Sequence, residues 1–223
     1  VERVQLAGSA RRRKETIGDL DIVVGVQPEN HDEVGSAILA LQGIADVKGA
    51  GDSKISLILE ASIFEDGFSV GHIDANVLEA IGGDDYEQLE SAGTIDAQVR
   101  LVPPEMFAFT LAYFTGSKEH NIAMRQRAID RGLRLNEFGL IPEAKAGELK
   151  GIEAAQYSLS AMTEQEIYTH LDLQWVPPEL REDTGEIQSG SERNLPALLE
   201  LDSIQGALHN HTVVSDGEAT LEQ

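Results

Sequence analysis

Apolar and polar residues alternate along two short stretches near the start of the chain, Val4-Gln5-Leu6 and Asp19-Leu20-Asp21-Ile22-Val23-Val24. Period-two alternation predicts a strand in each, and it places Asp19 and Asp21 on the same face. Between them, Gly8-Ser9 opens a basic stretch. Residues 31–43 carry Val34, Ile38, Leu39 and Leu41 at helical spacing and stop at Gly43, whereas Lys54–Glu60 alternates through Ile55, Leu57 and Leu59 as a further strand. Residues 61–92 are interrupted by Gly67, Gly71, Gly82 and Gly83 and read as irregular.

A short apolar strand, Val99–Val102, is closed by Pro103-Pro104, a natural seam between domains. Helical periodicity follows from Met106 through Leu111 and Phe114, again from Asn121 to Leu133, and again from Thr163 to Leu171, where Thr163-Glu164-Gln165-Glu166 fits a capping box. Residues 177–206, with Pro177-Pro178, Gly185, Ser189-Gly190-Ser191 and Pro196, read as linker with one short helix around Leu195–Leu201. This predicts an α+β chain: a mixed sheet with helices over 1–104, then an α-rich unit with small strands over 105–180, a linker over 181–206, and the start of a further domain over 207–223.

Composition narrows the chemistry. At 223 residues, 41% hydrophobic and 25% charged, the chain has the balance of a soluble globular protein. It carries no stretch resembling a membrane span or signal peptide, so a cytoplasmic location is the default expectation. The absence of cysteine removes disulfides, thiolate metal sites and cysteine nucleophiles together. The chain starts without Met and stops in a stretch that reads like the start of a helix, so both ends are expected to be cuts. A net charge of −22 argues against phosphate-rich partners, yet the cations are focused: Arg11–Lys14 are consecutive, and six more basic residues fall between positions 100 and 134.

Two carboxylates one residue apart on a strand can share a divalent cation through oxygen ligands. Taken alone, Asp19 and Asp21 read more readily as two solvated acids on a strand edge. Their neighbours change the balance, because Gly8-Ser9 at a strand-to-helix transition can offer backbone N–H groups to phosphate oxygens, and Arg11, Arg12 and Arg13 add charge-assisted donors. An anionic metal seat beside a cationic phosphate cradle is what nucleotidyl transfer from a nucleoside triphosphate requires.

The stretch from Gly8 to Asp21, Gly-Ser-Ala-Arg-Arg-Arg-Lys-Glu-Thr-Ile-Gly-Asp-Leu-Asp, resembles the palm signature of the family X DNA polymerases of bacteria and archaea. A second block, Tyr113-Phe114-Thr115-Gly116-Ser117-Lys118-Glu119-His120-Asn121 with Met124-Arg125 and Leu135-Asn136-Glu137-Phe138-Gly139, is similar to the family's thumb. The resemblance covers roughly residues 3–60 and 97–217. It implies template-directed DNA synthesis that fills short gaps in repair, with dNTP and a gapped or primed duplex as partners and Mg²⁺ or Mn²⁺ in the palm. It assigns Asp19 and Asp21 to the metals, Gly8, Ser9, Arg12 and Gly18 to the triphosphate, and Tyr113, Phe114, Thr115, Gly116 and Asn121 to the incoming nucleotide. Arg100, Lys118 and Arg125 fall to DNA, and helix-hairpin-helix modules are expected upstream. The bland reading of Tyr113 and Phe114 is an aromatic pair packed in a core.

One departure from the family pattern stands out. Where the family places a third metal-binding Asp before the thumb, this chain has Gln98 in Gln98-Val99-Arg100-Leu101-Val102-Pro103, and Asp96, two residues earlier, is the candidate substitute. The alternatives to a working polymerase are a degenerate module that binds DNA or nucleotide without chemistry, and a template-independent nucleotidyltransferase. A third block, Leu208-His209-Asn210-His211-Thr212-Val213-Val214-Ser215-Asp216-Gly217, resembles the first motif of polymerase-and-histidinol-phosphatase domains. It implies that His209 and His211 ligate Zn²⁺ or Mn²⁺ in the intact protein, although isolated His pairs are usually incidental.

Overall fold

The structure, a computed structural model, describes residues 1–60, 93–149 and 152–206. Five strands form one sheet: β1 (Arg3–Leu6), β2 (Asp19–Gly25), β3 (Ile44–Ala50), β4 (Lys54–Glu60) and β5 (Thr94–Val102), in spatial order β1-β2-β5-β4-β3. The central pair, β2 and β5, is parallel; every other pairing is antiparallel. The chain is therefore α+β with a mixed sheet. A parallel pair needs a crossover, and here the intervening chain contributes α2 (His31–Leu39) and the β3–β4 hairpin to that connection.

Alternation decides which face each side chain meets. On β5, Ala97, Val99 and Leu101 are buried while Asp96, Gln98 and Arg100 face the other way. The buried set joins Leu20, Val24, Ile55 and Leu57 in one core, covered by Val34 and Ile38 of α2. On the opposite face, Val23 and Ala7 pack against Phe107 and Leu111 of α3 (Phe107–Thr115).

The second core is built from the other side of α3, through Ala108 and Phe109, together with Met124 and Ala128 of α4 (Lys118–Ile129) and Leu140 of the hairpin β6 (Leu133–Asn136) and β7 (Gly139–Pro142). Ile167, Tyr168 and Leu171 of α7 (Glu164–His170) close it, after the short helices α5 (Glu143–Ala146) and α6 (Ile152–Ala155). Helix α3 thus serves both cores, so the seam at Pro103-Pro104 lies just before an element shared by both halves. Thr163 caps α7 by accepting from Glu166 N–H, while Glu166 accepts from Met162 N–H rather than from the cap itself.

Several expectations need correction. Strand β3 has no counterpart in the alternation pattern, because it is an edge strand exposed along almost its whole length and broken by two register shifts. Strand β5 starts at Thr94, five residues before Val99. The α4 helix ends at Ile129, and Leu133, expected to close it, opens a strand after Gly132 turns the chain with φ +69. No α-helix forms at Leu195–Leu201, where a single 3-10 turn begins only at Leu201; the short α-helix is α8 (Glu186–Ser191). Residues 181–191, expected as linker, are held down instead: Arg181 is fully buried, Glu186 and Gly190 are buried, and Ile187 packs on the second core. The irregular segment 61–92 and the His209/His211 block lie outside the described residues.

Candidate active site

The turn from β1 into α1 (Gly8–Arg11) comes up directly against Asp21. Ala7 N–H donates to the Asp21 carbonyl at 2.7 Å, and a Cβ on Gly8 would stand 2.7 Å from Asp21 Oδ2. With φ +61 as well, position 8 takes glycine for two independent reasons. Asp19 and Asp21 project from one face of β2, as the spacing predicts. Burial pushes the Asp21 carboxyl up from its usual value and the Asp19 charge adds to that, against the opposing pull of Arg100, Lys54 and Arg12. Like charges held together in a half-buried seat are relieved by a bound cation.

The parallel register sets Asp96 beside Asp19 and Gln98 beside Asp21. Gln98 therefore occupies the third corner of the seat and brings an amide where a carboxylate would complete it. Asp96 lies on the same face but is taken: Lys48 Nζ of β3 contacts its two oxygens at 2.6 and 2.7 Å. Among the described residues, no three acidic or His side chains gather closely enough to hold a metal. Asp19 and Asp21 are thus the donors present for a cation, with Gln98 as a neutral oxygen beside them.

Arg100 follows Gln98 on the same face. Its guanidinium lies 3.7 Å from the Phe114 ring centroid, within the fields of Asp21, Glu137 and Tyr113, and its Nε is buried without a hydrogen-bond partner. Tyr113 and Phe114 meet edge-to-face at 5.1 Å and are both half-buried rather than sealed in a core. Gly116, with φ +69, ends α3, and the Gly116–Ser117 peptide is cis. Asn121 donates from Nδ2 to the Tyr113 carbonyl at 2.7 Å, so the helix after the turn is tied to the aromatic pair before it. Arg125 and Lys118 are exposed on α4, while Gly18 is exposed and a methyl group there would meet nothing within 4 Å.

The basic run is the largest departure from a simple cradle. Arg11 makes a two-pronged pair with Glu164, at 3.0 and 2.6 Å, and donates to Thr115 Oγ1 at 2.7 Å. Arg12 donates from Nε to Glu182 at 2.8 Å and from Nη1 to the Thr115 carbonyl at 2.5 Å. Arg13 pairs with Glu179 at 3.2 Å, and Lys14 stands 3.6 Å from the same Glu182 oxygen. Every cation of the run therefore meets a carboxylate from residues 164–182. None of these acids stands out in the sequence, because each lies more than 150 residues from its partner in a chain with 39 acidic residues.

Behind them lies a buried polar network. Arg181 donates from Nη1 to Glu164 at 2.7 Å and from Nε to the Val176 carbonyl, and its own carbonyl accepts from Ser117 N–H. Burial would push the Glu164 carboxyl up, but Arg181 and Arg11 overcome this and hold it down at about 2. His120 and Glu186 stand at ion-pair distance, 2.6 Å. Burial lowers the imidazole's pKa and the Arg181 charge adds to that, against the opposing pull of Glu186; Nδ1 faces Glu186 and Nε2 stands 2.9 Å from the Tyr168 hydroxyl. The Thr115-Gly116-Ser117 turn is thereby held on one side by Arg11 and Arg12 and on the other by Arg181.

Residues 110–182 match the family model described as the DNA polymerase beta thumb. The DNA polymerase/3'-5' exonuclease PolX of Bacillus subtilis is 35% identical over 97% of this chain and 30% of its own length. DNA polymerase lambda of Arabidopsis thaliana is 28% identical over 78% of this chain and 31% of its own. The chain therefore spans about a third of the length of these relatives. Polymerase beta of Leishmania infantum, solved as a ternary gap complex, superposes with a TM-score of 0.59 at 21% identity, covering 81% of this chain and 62% of that one, a likeness of fold.

Proposed function

The chain belongs to family X of the DNA polymerases, and from that premise we propose that it carries the palm and thumb of an enzyme that transfers a nucleotidyl group from dNTP to a primer 3'-hydroxyl during gap filling. The observation that carries this is the placement of the Asp19/Asp21 seat directly against the Gly8–Arg12 loop, with Thr115 bonded to that loop's arginines through its hydroxyl (Arg11) and its carbonyl (Arg12). A domain limit at 104, a second unit that runs past 180 to include the anchored residues 181–191, and a phosphoesterase-like domain beginning near 207 form part of this reading. No helix among the described residues is long and apolar enough to cross a membrane.

In the proposed reaction a bond forms between the primer 3'-oxygen and the α-phosphorus, the bond from that phosphorus to the bridging oxygen breaks, and pyrophosphate leaves with its electron pair. The hydroxyl proton passes to solvent. Asp19 and Asp21 are the residues that would hold Mg²⁺ or Mn²⁺, whose chemistry there is to offset phosphate charge and to acidify the attacking hydroxyl. Ser9 and Arg12 hold the triphosphate, the Tyr113–Gly116 turn abuts the sugar, and Asn121 and Arg125 present polar groups to the nascent pair. Lys118 offers positive charge to the DNA backbone.

A second reading is favoured by a specific observation: Gln98 fills the third corner of the seat and Asp96 is occupied by Lys48. On that reading the module binds nucleotide and DNA but performs little chemistry. Single-nucleotide incorporation on a gapped duplex, with Mg²⁺ and then Mn²⁺, separates the two. Polymerase activity predicts incorporation lost at least about a hundredfold in Asp19→Ala and retained or raised in Gln98→Asp. Measurable incorporation only in Gln98→Asp supports the binding module, and none in any variant refutes the polymerase assignment for this chain.

A further inference from the structure

We propose that Glu182 is an exchange anion of the nucleotide site: its carboxylate occupies Arg12 when no nucleotide is bound, yields it to an incoming polyphosphate, and takes it back as pyrophosphate leaves. This rests on the nucleotide-site reading above. The contrast with Glu164 carries it. Glu164 is buried, bonded by both Arg11 and Arg181, and has no open side from which a ligand enters. Glu182 meets the same basic loop one residue on, but its side chain is 27% exposed and a single oxygen serves both Arg12 Nε and Lys14 Nζ.

Glu182 is also presented rather than tethered loosely. The preceding Arg181 is fully buried and bonded, and the following Asp183, with φ +56, donates its N–H to Glu186. The backbone at 182 is therefore fixed, and release of Arg12 needs only rotation of one side chain into solvent. Arg12 keeps its Nη1 bond to the Thr115 carbonyl throughout, so its guanidinium is already placed when Glu182 leaves. A polyphosphate offers several charged oxygens to Arg12 and Lys14 where Glu182 offers one, so it wins the exchange. A carboxylate stationed there weakens every anion at the site, which shortens the stay of a product anion.

The test is equilibrium binding of inorganic tripolyphosphate and of pyrophosphate to the whole chain, measured calorimetrically for the wild type, Glu182→Gln and Glu179→Gln. Glu182→Gln keeps an acceptor for Arg12 Nε and removes only the charge. It is expected to bind both anions on the order of tenfold tighter. Glu179→Gln, whose ion pair is with the exposed Arg13 and which makes no contact with Arg12, is expected to change binding less than about twofold. Unchanged or weaker binding in Glu182→Gln, with the wild type binding normally, overturns the exchange role and leaves the nucleotide site standing. No binding of tripolyphosphate by any variant overturns both.

Discussion

Two acidic regions of this molecule follow opposite rules. On the sheet face, Asp19 and Asp21 are set side by side, a glycine is required so that the chain can approach Asp21, and the carboxyl is pushed toward its neutral form. At the seam with the helical half, Glu164 is surrounded by two guanidinium groups and held ionised down to about pH 2. The first arrangement is unfavourable until something positive arrives; the second is complete as it stands. Unmatched charge marks where a ligand belongs, and matched buried charge marks what keeps the two halves registered.

The largest expected effect comes from breaking the matched region. Glu164→Ala strips the partner from Arg181, a fully buried side chain whose Nη2 already lacks a hydrogen-bond partner. A loss of about 3–5 kcal/mol is expected, read as a lower urea midpoint at unchanged slope. A loss under about 1 kcal/mol would show that the network relaxes into solvent and that the seam is no more than a surface pair.

Acid probes the same region more gently. The folded-state pKa of Glu164 is depressed from 4.5 to about 2, so its contribution is fully present above about pH 4.5 and disappears as the pH falls toward 2. About 3 kcal/mol of stability is expected to be lost across that window through this group. Glu164→Gln, which cannot titrate, should start lower and show a correspondingly shallower acid limb. Equal acid limbs in the two proteins would mean that other carboxylates govern acid unfolding.

The two regions were unequally legible in the sequence. Asp19 and Asp21 declare themselves because their geometry is local: one residue apart on an alternating strand, ten residues after a Gly-Ser turn. Period-two patterning likewise locates β2 and β4, whose apolar residues point at a core, and β1, of which Leu6 alone packs there while Val4 is exposed. It misses β3 because an exposed edge strand has no buried face to alternate, and it shortens β5 because Thr94, Asp96 and Gln98 fall on the open face. Residues 181–191 look like linker because their anchoring is polar, through Arg181 and Glu186, and polar anchors carry no periodicity. Glu164 and Glu182 are legible only in three dimensions, since their partners lie at the other end of the chain.

The smallest expected effect has the opposite sign and is the most discriminating. Asp21→Asn keeps the shape of the side chain, and the Ala7 N–H bond goes to the backbone carbonyl and survives. The folded-state pKa of Asp21 is raised above 3.8, so at neutral pH its charge costs folding energy that protonation would recover on acidification. The amide removes that cost, and the variant should be more stable than the wild type at pH 7, read as a higher urea midpoint. The advantage should shrink as the pH falls through the raised pKa, where the wild type also becomes neutral. Addition of Mn²⁺ should reverse the order, because a cation bound between Asp19 and Asp21 stabilises only the wild type. Destabilisation by Asp21→Asn without metal would mean that Arg100, Lys54 and Arg12 already satisfy the carboxylate, and that the sheet face follows the rule of the seam.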